Sequence, residues 1–300
     1  MDIDAYNHIR SGGVGFYEQK RGLIAVWGKE AVPFLDGMIT NDMKTLADGQ
    51  QMLAAFPNAQ GRLLAVVRVL REGERFLIET DEATREKVFN NLFRFTYAGD
   101  FFVEDLSDNF KYFDLFGSQA EPPASAGAVT FNDNSAVGHF VPVDVAEAFR
   151  EQLSNGGGVA ISNELYETLR IESGTPKYGV DMDETTIVPE LGLDGLISYN
   201  KGCYIGQEIV ARIHFRGHVA KQLTGLILPE PPTSAGGFQP GAELTSPDGK
   251  NVGRVTSAAF SKSLEQTVGL GYVRYDYLAA GTQLLLGETK VVVADLPFVN

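Results

Sequence analysis

Apolar residues recur along this 300-residue chain with two different periods. Alternating or continuous apolar runs predict strands, for example at residues 23–27 and 63–70. Between them, apolar residues spaced three and four positions apart predict helices, for example at 33–39 and 81–95. After Lys221 only short strand-like runs occur, at 223–228, 253–260, 268–273, 283–286 and 291–294. The pattern therefore predicts an α+β protein that ends in a small antiparallel β-barrel or sandwich.

Composition and charge narrow the class of protein. A chain with 44% hydrophobic and 21% charged residues is typical of a globular protein, and its length suggests two or three domains. We expect a cytoplasmic protein with no membrane association, because the first twenty residues lack a signal-peptide pattern and no apolar run approaches a membrane span. The formal net charge of −14 argues against direct binding to nucleic acid, whose affinity comes mainly from neutralising phosphates.

The only cysteine of the chain, Cys203, lies in the octapeptide Lys201-Gly202-Cys203-Tyr204-Ile205-Gly206-Gln207-Glu208. Isoleucines at every fourth position from 205 to 213 predict a helix, which places the thiol at its N-terminus. The free amides there and the charge of Lys201 favour a thiolate, so Cys203 is a candidate reactive group or metal ligand. The alternative is a small buried hydrophobe. One cysteine excludes an intrachain disulfide and a self-contained Cys-rich metal site, so we expect no resident metal.

A cluster of positive charge follows this cysteine. Between Lys201 and Lys221 the chain has four lysines and arginines against one acidic residue, although the whole protein is acidic. Such an excess suits a small anionic ligand, with Arg212 and Arg216 as candidate contacts. The alternative is a solvated helix face on which Glu208 pairs with Arg212, four positions later.

Glu172 is a second unusual position. It shares the apolar face of a predicted helix, from Ser162 to Gly174, with Leu165 and Leu169. An ionised carboxylate buried there needs a hydrogen-bonding partner or a polar ligand. The alternative is a carboxylate that reaches solvent at the end of the helix.

The octapeptide resembles the signature of the YgfZ family, folate-binding relatives of the glycine-cleavage T protein that support iron–sulfur enzymes and tRNA modification. Residues 23–42, 170–174 with 189–190, and 253–257 with 269–273 resemble successive blocks of that family. The resemblance implies a three-domain cloverleaf of the aminomethyltransferase folate-binding type with a C-terminal barrel. The domains that we expect are a discontinuous folate-binding α+β domain, a second α+β domain and the barrel, formed respectively by residues 1–48 plus 160–219, 49–159 and 220–300.

The resemblance also implies a ligand, tetrahydrofolate or a one-carbon derivative, held in a cavity between domains. Tyr166 is expected to stack against it, and the arginines are expected to meet its glutamyl carboxylates. For Glu172, bracing of a domain junction is an alternative to ligand binding. The folate-binding residues that we expect are Asn41, Tyr166, Glu172, Arg212, Arg216 and Arg254. The signature residues around Cys203 are Gly202, Tyr204, Gly206, Gln207 and Glu208.

Two departures from the T protein bear on catalysis. The strand that looks equivalent to its catalytic strand has no carboxylate at residues 63–67, and the segment 138–140 lacks the glutamate that holds the pterin. Without those groups, no general acid or base for aminomethyl transfer is evident. Whether the chain is an enzyme is therefore left open.

The function predicted is that of a tetrahydrofolate-binding accessory protein, which supports assembly or repair of iron–sulfur enzymes and thereby tRNA modification. Its expected partners are reduced folate and iron–sulfur enzymes or assembly proteins. Cys203 and Lys201 are the predicted reactive thiol and its activating charge, and a transient iron–sulfur cluster shared with a partner is a further candidate cofactor. One alternative is a tetrahydrofolate-dependent aminomethyl or one-carbon transferase. Another is a folate-binding regulatory module in which Cys203 is only structural.

Overall fold

A computed structural model of the protein describes residues 2–117, 125–132, 136–229 and 238–299. The chain forms two compact units. The first comprises Met1–Tyr166 and Gly195–Gln207, and the second comprises Glu167–Asp194 and Glu208–Asn300. The finer division into three domains stays a prediction.

The first unit contains two five-stranded sheets, whose strands are numbered here along the chain. One sheet has the spatial order β10 (Val159–Ala160), β1 (Gly15–Gln19), β7 (Phe110–Phe116), β9 (Val137–Pro142) and β8 (Val129–Asn132). Strands β1 and β10 are parallel, and the other neighbours are antiparallel. Helix α1 (Ile3–Arg10) precedes β1. Helix α4 (Ala146–Asn155) supplies Phe149 and Leu153 to an apolar cluster with Phe16 and Phe113.

The second sheet of this unit is antiparallel throughout, with the spatial order β3 (Gln51–Pro57), β4 (Leu63–Glu72), β5 (Arg75–Asp81), β2 (Arg21–Trp27) and β6 (Phe102–Asp105). Alternate residues of β4 from Leu63 to Val69 are buried, as the two-residue period of a strand requires. Helices α2 (Ala31–Met38) and α3 (Glu82–Phe93) cover the main core with Leu35 and Val88. The strands and helices predicted in this region are confirmed.

The two sheets of the first unit share a smaller apolar core. Leu23 and Leu77 of one sheet pack with Phe131 and Phe140 of the other. Burial of such side chains contributes about 1.5–3 kcal/mol each to folding. The sheets are thus joined by side-chain packing as well as by the chain connections.

The C-terminal part of the second unit is a closed antiparallel barrel, which confirms the predicted barrel. Its spatial order is β11 (Lys221–Leu228), β14 (Gln266–Arg274), β13 (Asn251–Ser261), β12 (Glu243–Thr245), β15 (Gln283–Leu286) and β16 (Thr289–Ala294). Leu226, Val252 and Leu284 belong to the core inside the barrel. Leu223 and Tyr272, which alternate with inward residues, pack instead with Ile171 of helix α5 (Asn163–Glu172).

The helix after the octapeptide, α6 (Gln207–Arg216), begins later than the sequence predicts. Cys203 lies four residues before its first residue, so the prediction of a thiol at a helix N-terminus is wrong. The physical reason is Gly206, whose φ of +81° lies in the left-handed region and is incompatible with a continuous right-handed helix. Among the helices that the structure describes, none combines the length and apolar character needed to cross a bilayer.

His139 on β9 is a buried histidine, and we expect it to make the stability of the first unit depend on pH. Its side chain is 1% exposed, its Nδ1 lies 2.9 Å from Thr130 Oγ1, and burial lowers its pKa from 6.5 to about 4. The unfolded chain therefore binds a proton below about pH 6.5 that the folded chain binds only near pH 4. We expect the free energy of unfolding to fall by roughly 3 kcal/mol from this group between pH 7 and pH 4.

Denaturant titrations at several pH values on the wild type and His139→Leu check this. The difference between the two slopes isolates His139, because carboxylates titrate in both proteins. Equal slopes for the two proteins would contradict the assignment.

Candidate functional site

Cys203 is exposed, on the segment between residue 200 and helix α6. Its exposure contradicts the alternative in which the cysteine is a small buried hydrophobe. A thiol on the surface is accessible to reagents, metals and partner proteins. The neighbouring residues determine how firmly that thiol is positioned.

The main anchor of the segment is Lys201, whose side chain is only 1% exposed. Its ammonium donates hydrogen bonds to the backbone carbonyls of Asp36, Ile39 and Asn41, at 2.6, 2.9 and 2.7 Å. The carboxylate of Asp36 lies 3.2 Å away and balances the charge. These contacts cap the C-terminal end of α2, where carbonyls lack helical partners. The ammonium of Lys201 is therefore bound by backbone carbonyls and a carboxylate of the fold. Its predicted role in favouring the thiolate of Cys203 stays a prediction.

The ionisation of this buried pair is coupled. Burial lowers the pKa of Lys201, and the charge of Asp36 opposes that shift. Burial of Asp36 raises its pKa, but the charge of Lys201 and a hydrogen bond from Lys44 outweigh this and lower it. The lowered pKa of Asp36 favours its ionised carboxylate beside the Lys201 ammonium.

The other signature residues hold the chain close to the first unit's core. Tyr204 is buried, and its ring centroid lies 5.1 Å from Lys201 Nζ. The amide of Ile205 donates to the carbonyl of Gly37 at 3.1 Å. A Cβ at Gly206 would lie 2.3 Å from the carbonyl oxygen of Asn58, so only glycine fits there. Cys203 and Gly202 are exposed between these fixed points.

Asn41 lies in the segment that Lys201 binds. Its side-chain amide donates to the carbonyls of Leu53 and Gly195, each at 2.8 Å, and its oxygen accepts from the amide of Asp42. The preceding Thr40 hydroxyl donates to the carbonyl of Leu196 at 2.6 Å. These bonds tie residues 195–196 to the segment after α2. The predicted folate contact of Asn41 stays a prediction, because its side chain is already engaged in this bracing.

Tyr166 belongs to a polar cluster in the first unit. Its ring stacks on Tyr17 with centroids 4.3 Å apart, and its hydroxyl accepts a hydrogen bond from Gln19 at 3.1 Å. Gln19 also donates to Asp114, whose other oxygen accepts from Tyr112. Burial raises the pKa of Asp114, against the opposing charges of two arginines. Tyr17 occupies one face of the Tyr166 ring, and the predicted stacking of a ligand on Tyr166 stays a prediction.

Arg21 and Arg68, the two arginines whose charges act on Asp114, form a buried charge network that the sequence did not predict. Arg21 and Arg68 both bind the carboxylate of Glu79, which is 1% exposed. Arg21 also binds Asp81 at 2.5 Å, and Arg68 donates to Tyr112 at 3.0 Å. Burial opposes ionisation of Glu79, but the two positive charges outweigh it and lower its pKa. The signal available was the hairpin of β4 and β5, in which Arg68 and Glu79 are opposite each other.

Glu172, in the second unit, is fully buried as its apolar face predicts. Its carboxylate accepts a hydrogen bond from Ser261 at 2.5 Å, which supplies the polar partner that burial requires. Arg170, on the same helix, binds Asp181 at 2.9 Å and Ser257 at 2.9 Å. Both residues therefore brace α5 against the barrel. The folate contact of Glu172 stays a prediction, and these bonds favour the bracing alternative.

The three arginines predicted to bind folate lie in the second unit and are exposed. Arg212 and Arg216 are on α6, and Arg254 is on β13. Within the part of the chain that the structure describes, none of them forms an ion pair. Gln207 and Glu208 form the first turn of α6, where Glu208 is exposed. In the same described part, no three His, Cys, Asp or Glu residues cluster as a metal site.

Two family models match successive parts of the chain. The GCVT N-terminal domain matches residues 4–148, and the glycine cleavage T-protein C-terminal barrel domain matches residues 221–300. Together they cover three quarters of the sequence. The chain belongs to the glycine cleavage T-protein family. The resemblance stated from the octapeptide and its neighbouring blocks is confirmed.

A solved structure shows the same fold. The glycine cleavage system aminomethyltransferase T from Bartonella henselae superposes with a TM-score of 0.87 at 22% identity, over 99% of this chain and 89% of that chain. The mixed α and β architecture with a terminal antiparallel barrel is thereby confirmed.

Curated relatives have different names. An iron-sulfur cluster assembly factor IBA57 homolog from Mycosarcoma maydis is 28% identical over 69% of this chain and 55% of its own length. The tRNA-modifying protein YgfZ of Hamiltonella defensa is 29% identical over 67% of this chain and 66% of its own. An aminomethyltransferase of Bdellovibrio bacteriovorus is 24% identical over 99% of this chain and 91% of its own length. The chain is thus similar both to the enzymes of the family and to its members named for iron–sulfur assembly and tRNA modification.

Proposed function

We propose that the protein is a tetrahydrofolate-binding accessory factor that supports assembly or repair of iron–sulfur enzymes, and thereby tRNA modification. The observation that carries the proposal is Cys203, the only cysteine, exposed on a segment that Lys201, Tyr204 and Gly206 fix to the fold. A thiol held at the surface can react or bind a metal without local unfolding. The names of the IBA57 and YgfZ relatives support the same function.

The residues proposed for folate fit a ligand with several carboxylates. Arg212, Arg216 and Arg254 are exposed cations in a protein of net charge −14, and guanidinium groups pair well with carboxylates. The aromatic ring of Tyr166 is the group proposed to stack with the ring system of the ligand. Folate would supply the one-carbon carrier, and these residues would bind and orient it.

Replacing Cys203 by Ser separates the thiol from the fold. We expect Cys203→Ser to retain the stability and folate affinity of the wild type, because the hydroxyl is similar in size and the position is exposed. We also expect it to restore less than a tenth of the iron–sulfur enzyme activity that the wild type restores in cells lacking the native gene. The measurements are calorimetry with tetrahydrofolate and enzyme assays in complemented cells.

The matched control is Gly202→Ala. Among the described residues, a Cβ at Gly202 would meet no atom within 4 Å, so this variant changes the position next to Cys203 and leaves the thiol. It should complement like the wild type. Full activity of Cys203→Ser would exclude thiol chemistry and favour the regulatory module with a structural cysteine. Absence of any heat with millimolar tetrahydrofolate would exclude the folate part of the proposal.

An aminomethyl or one-carbon transferase is the second candidate, favoured by the aminomethyltransferase relative that matches almost the whole chain. Against it, residues 63–67 of β4 supply no carboxylate, so a proton donor or acceptor is missing from that strand. Steady-state transfer of formaldehyde from an aminomethyl donor to tetrahydrofolate distinguishes the candidates. Turnover that survives Cys203→Ser would support the transferase.

A further inference from the structure

A cavity of about 620 Å³ opens on the barrel of the second unit and contains three positively charged residues. This volume lies within the roughly 300–1,000 Å³ that sites for small molecules occupy. Its lining contains Lys221, Arg254, Arg274, Tyr272, Glu243 and Asn251. Two glycines, at 241 and 253, also line the cavity.

Strand register places the three cations on one face of the barrel wall. Lys221 on β11 is directly opposite Arg274 on β14, and residues opposite each other point to the same side. Arg254 on β13 is opposite Tyr272, which is two positions before Arg274 and therefore faces the same way. Tyr272 packs in the cluster outside the barrel core, so this is the outer face.

Tyr272 lies between the charges. Its ring centroid is 4.9 Å from Lys221 Nζ and 5.9 Å from the guanidinium carbon of Arg254. The ring is only 2% exposed, so its position is set by packing. Two cations are thus held near one fixed aromatic ring, and the third is next to Lys221 across the strands.

The acidic residues nearby do not balance these charges. Glu243 on β12 is opposite Arg254. Hydrogen bonds from Thr185 are the main cause that lowers the pKa of Asp183, and the charges of Arg254 and Lys221 lower it further, so Asp183 lies near both cations. Across the residues that the structure describes, however, no ion pair within 4 Å joins an acid to any of the three cations. Like charges directly opposite on neighbouring strands are destabilising. The repulsion between Lys221 and Arg274 is therefore left for another anion to relieve.

We propose that this cavity, here called the barrel anion site, binds a small polyanion with at least two phosphate or carboxylate groups. The cavity size and the net charge of −14 both favour a small ligand over a long polymer such as nucleic acid. Two sources offer this chemistry, a phosphorylated metabolite and the γ-glutamyl tail of a folate. The site itself rests on the barrel residues and not on the chemistry of Cys203.

Calorimetry on the full chain tests the site with two probes that contain no pterin, inorganic tripolyphosphate and tri-γ-glutamate. We expect one molecule of at least one probe to bind, and binding to weaken as salt is raised. Lys221→Gln combined with Arg274→Gln should weaken binding at least tenfold. The matched control, Lys262→Gln with Lys290→Gln, also removes two positive charges, one just after β13 and one on β16, but both lie outside the cavity lining, and it should bind like the wild type.

The preferred probe identifies the source. Tighter binding of tri-γ-glutamate indicates a folate tail, and tighter binding of tripolyphosphate indicates a phosphorylated ligand. Glu243→Gln provides a second variant if the double variant does not fold, and it should bind severalfold more tightly because a competing acid is removed. No heat with either probe at millimolar concentration would overturn the proposal, and so would equal affinity of wild type and Glu243→Gln.

Discussion

Replacing Glu79 by Gln is expected to lower the free energy of unfolding by about 3–5 kcal/mol, the cost of leaving buried charges without their partner. Glu79 is the shared counterion of Arg21 and Arg68, and its side chain is 1% exposed. A neutral amide retains the size of the carboxylate but removes the charge that offsets burial of the two guanidinium groups. Asp81 still pairs with Arg21, so most of the destabilisation should come from Arg68, which loses its carboxylate partner. Urea titration measures the change.

The control for this prediction lies at the end of the same hairpin. Glu72 is 47% exposed and 4.0 Å from Arg75, so Glu72→Gln should change stability by less than about 0.5 kcal/mol. The double variant Glu79→Leu with Arg68→Met should be more stable than Glu79→Gln, because Arg68 is then no longer a buried charge without its partner. Equally small changes in the free energy of unfolding for Glu79→Gln and Glu72→Gln would contradict a stabilising role for the network.

Replacing Lys201 by Met should destabilise the first unit by about 3 kcal/mol and also reduce the activity that depends on Cys203. The methionine fills similar space but leaves three carbonyls, of Asp36, Ile39 and Asn41, without their donor. The segment from 195 to 206 would then open more often, and its amides would exchange faster with deuterium. Hydrogen exchange, denaturant titration and complementation together measure the effect, while the thiol itself is unchanged.

Lys44 offers a matched control, because it contacts the same carboxylate. Its ammonium lies 3.2 Å from Asp36, but its side chain is 63% exposed. Lys44→Met should therefore cost less than about 0.5 kcal/mol and leave the exchange of residues 195–206 unchanged. Similar losses for the two variants would show that the carbonyl contacts of Lys201 contribute little.

The sequence predicts the regular elements best where local pattern decides them. The strands of the barrel are β-rich runs between turns, and the core strand from Leu63 alternates buried and less buried residues, so period alone identifies them. Strand β1 was missed because it is only five residues long and contains charged and polar residues at 18 and 19. Burial of Glu172 was predicted correctly, since its spacing places it on an apolar helix face.

The candidate site was harder to predict because its contacts join distant parts of the chain. The importance of Lys201 followed from the octapeptide, but its partners are backbone carbonyls some 160 residues earlier, which no side-chain pattern marks. The helix start was misplaced because the isoleucine period continues through Gly206, whereas the backbone turns there. Arg21 and Glu79 are 58 residues apart, so only the sheet order brings them together.

The exposure of a solitary cysteine also makes the protein convenient to study. Maleimide dyes, nitroxide radicals and fluorinated tags all attach through sulfur, and here every such reagent has one destination. No background cysteines need to be removed by mutagenesis before labelling. A nitroxide at Cys203 would give a line shape that reports the motion of the segment pinned by Lys201, and the same label would register a client protein docking against that surface.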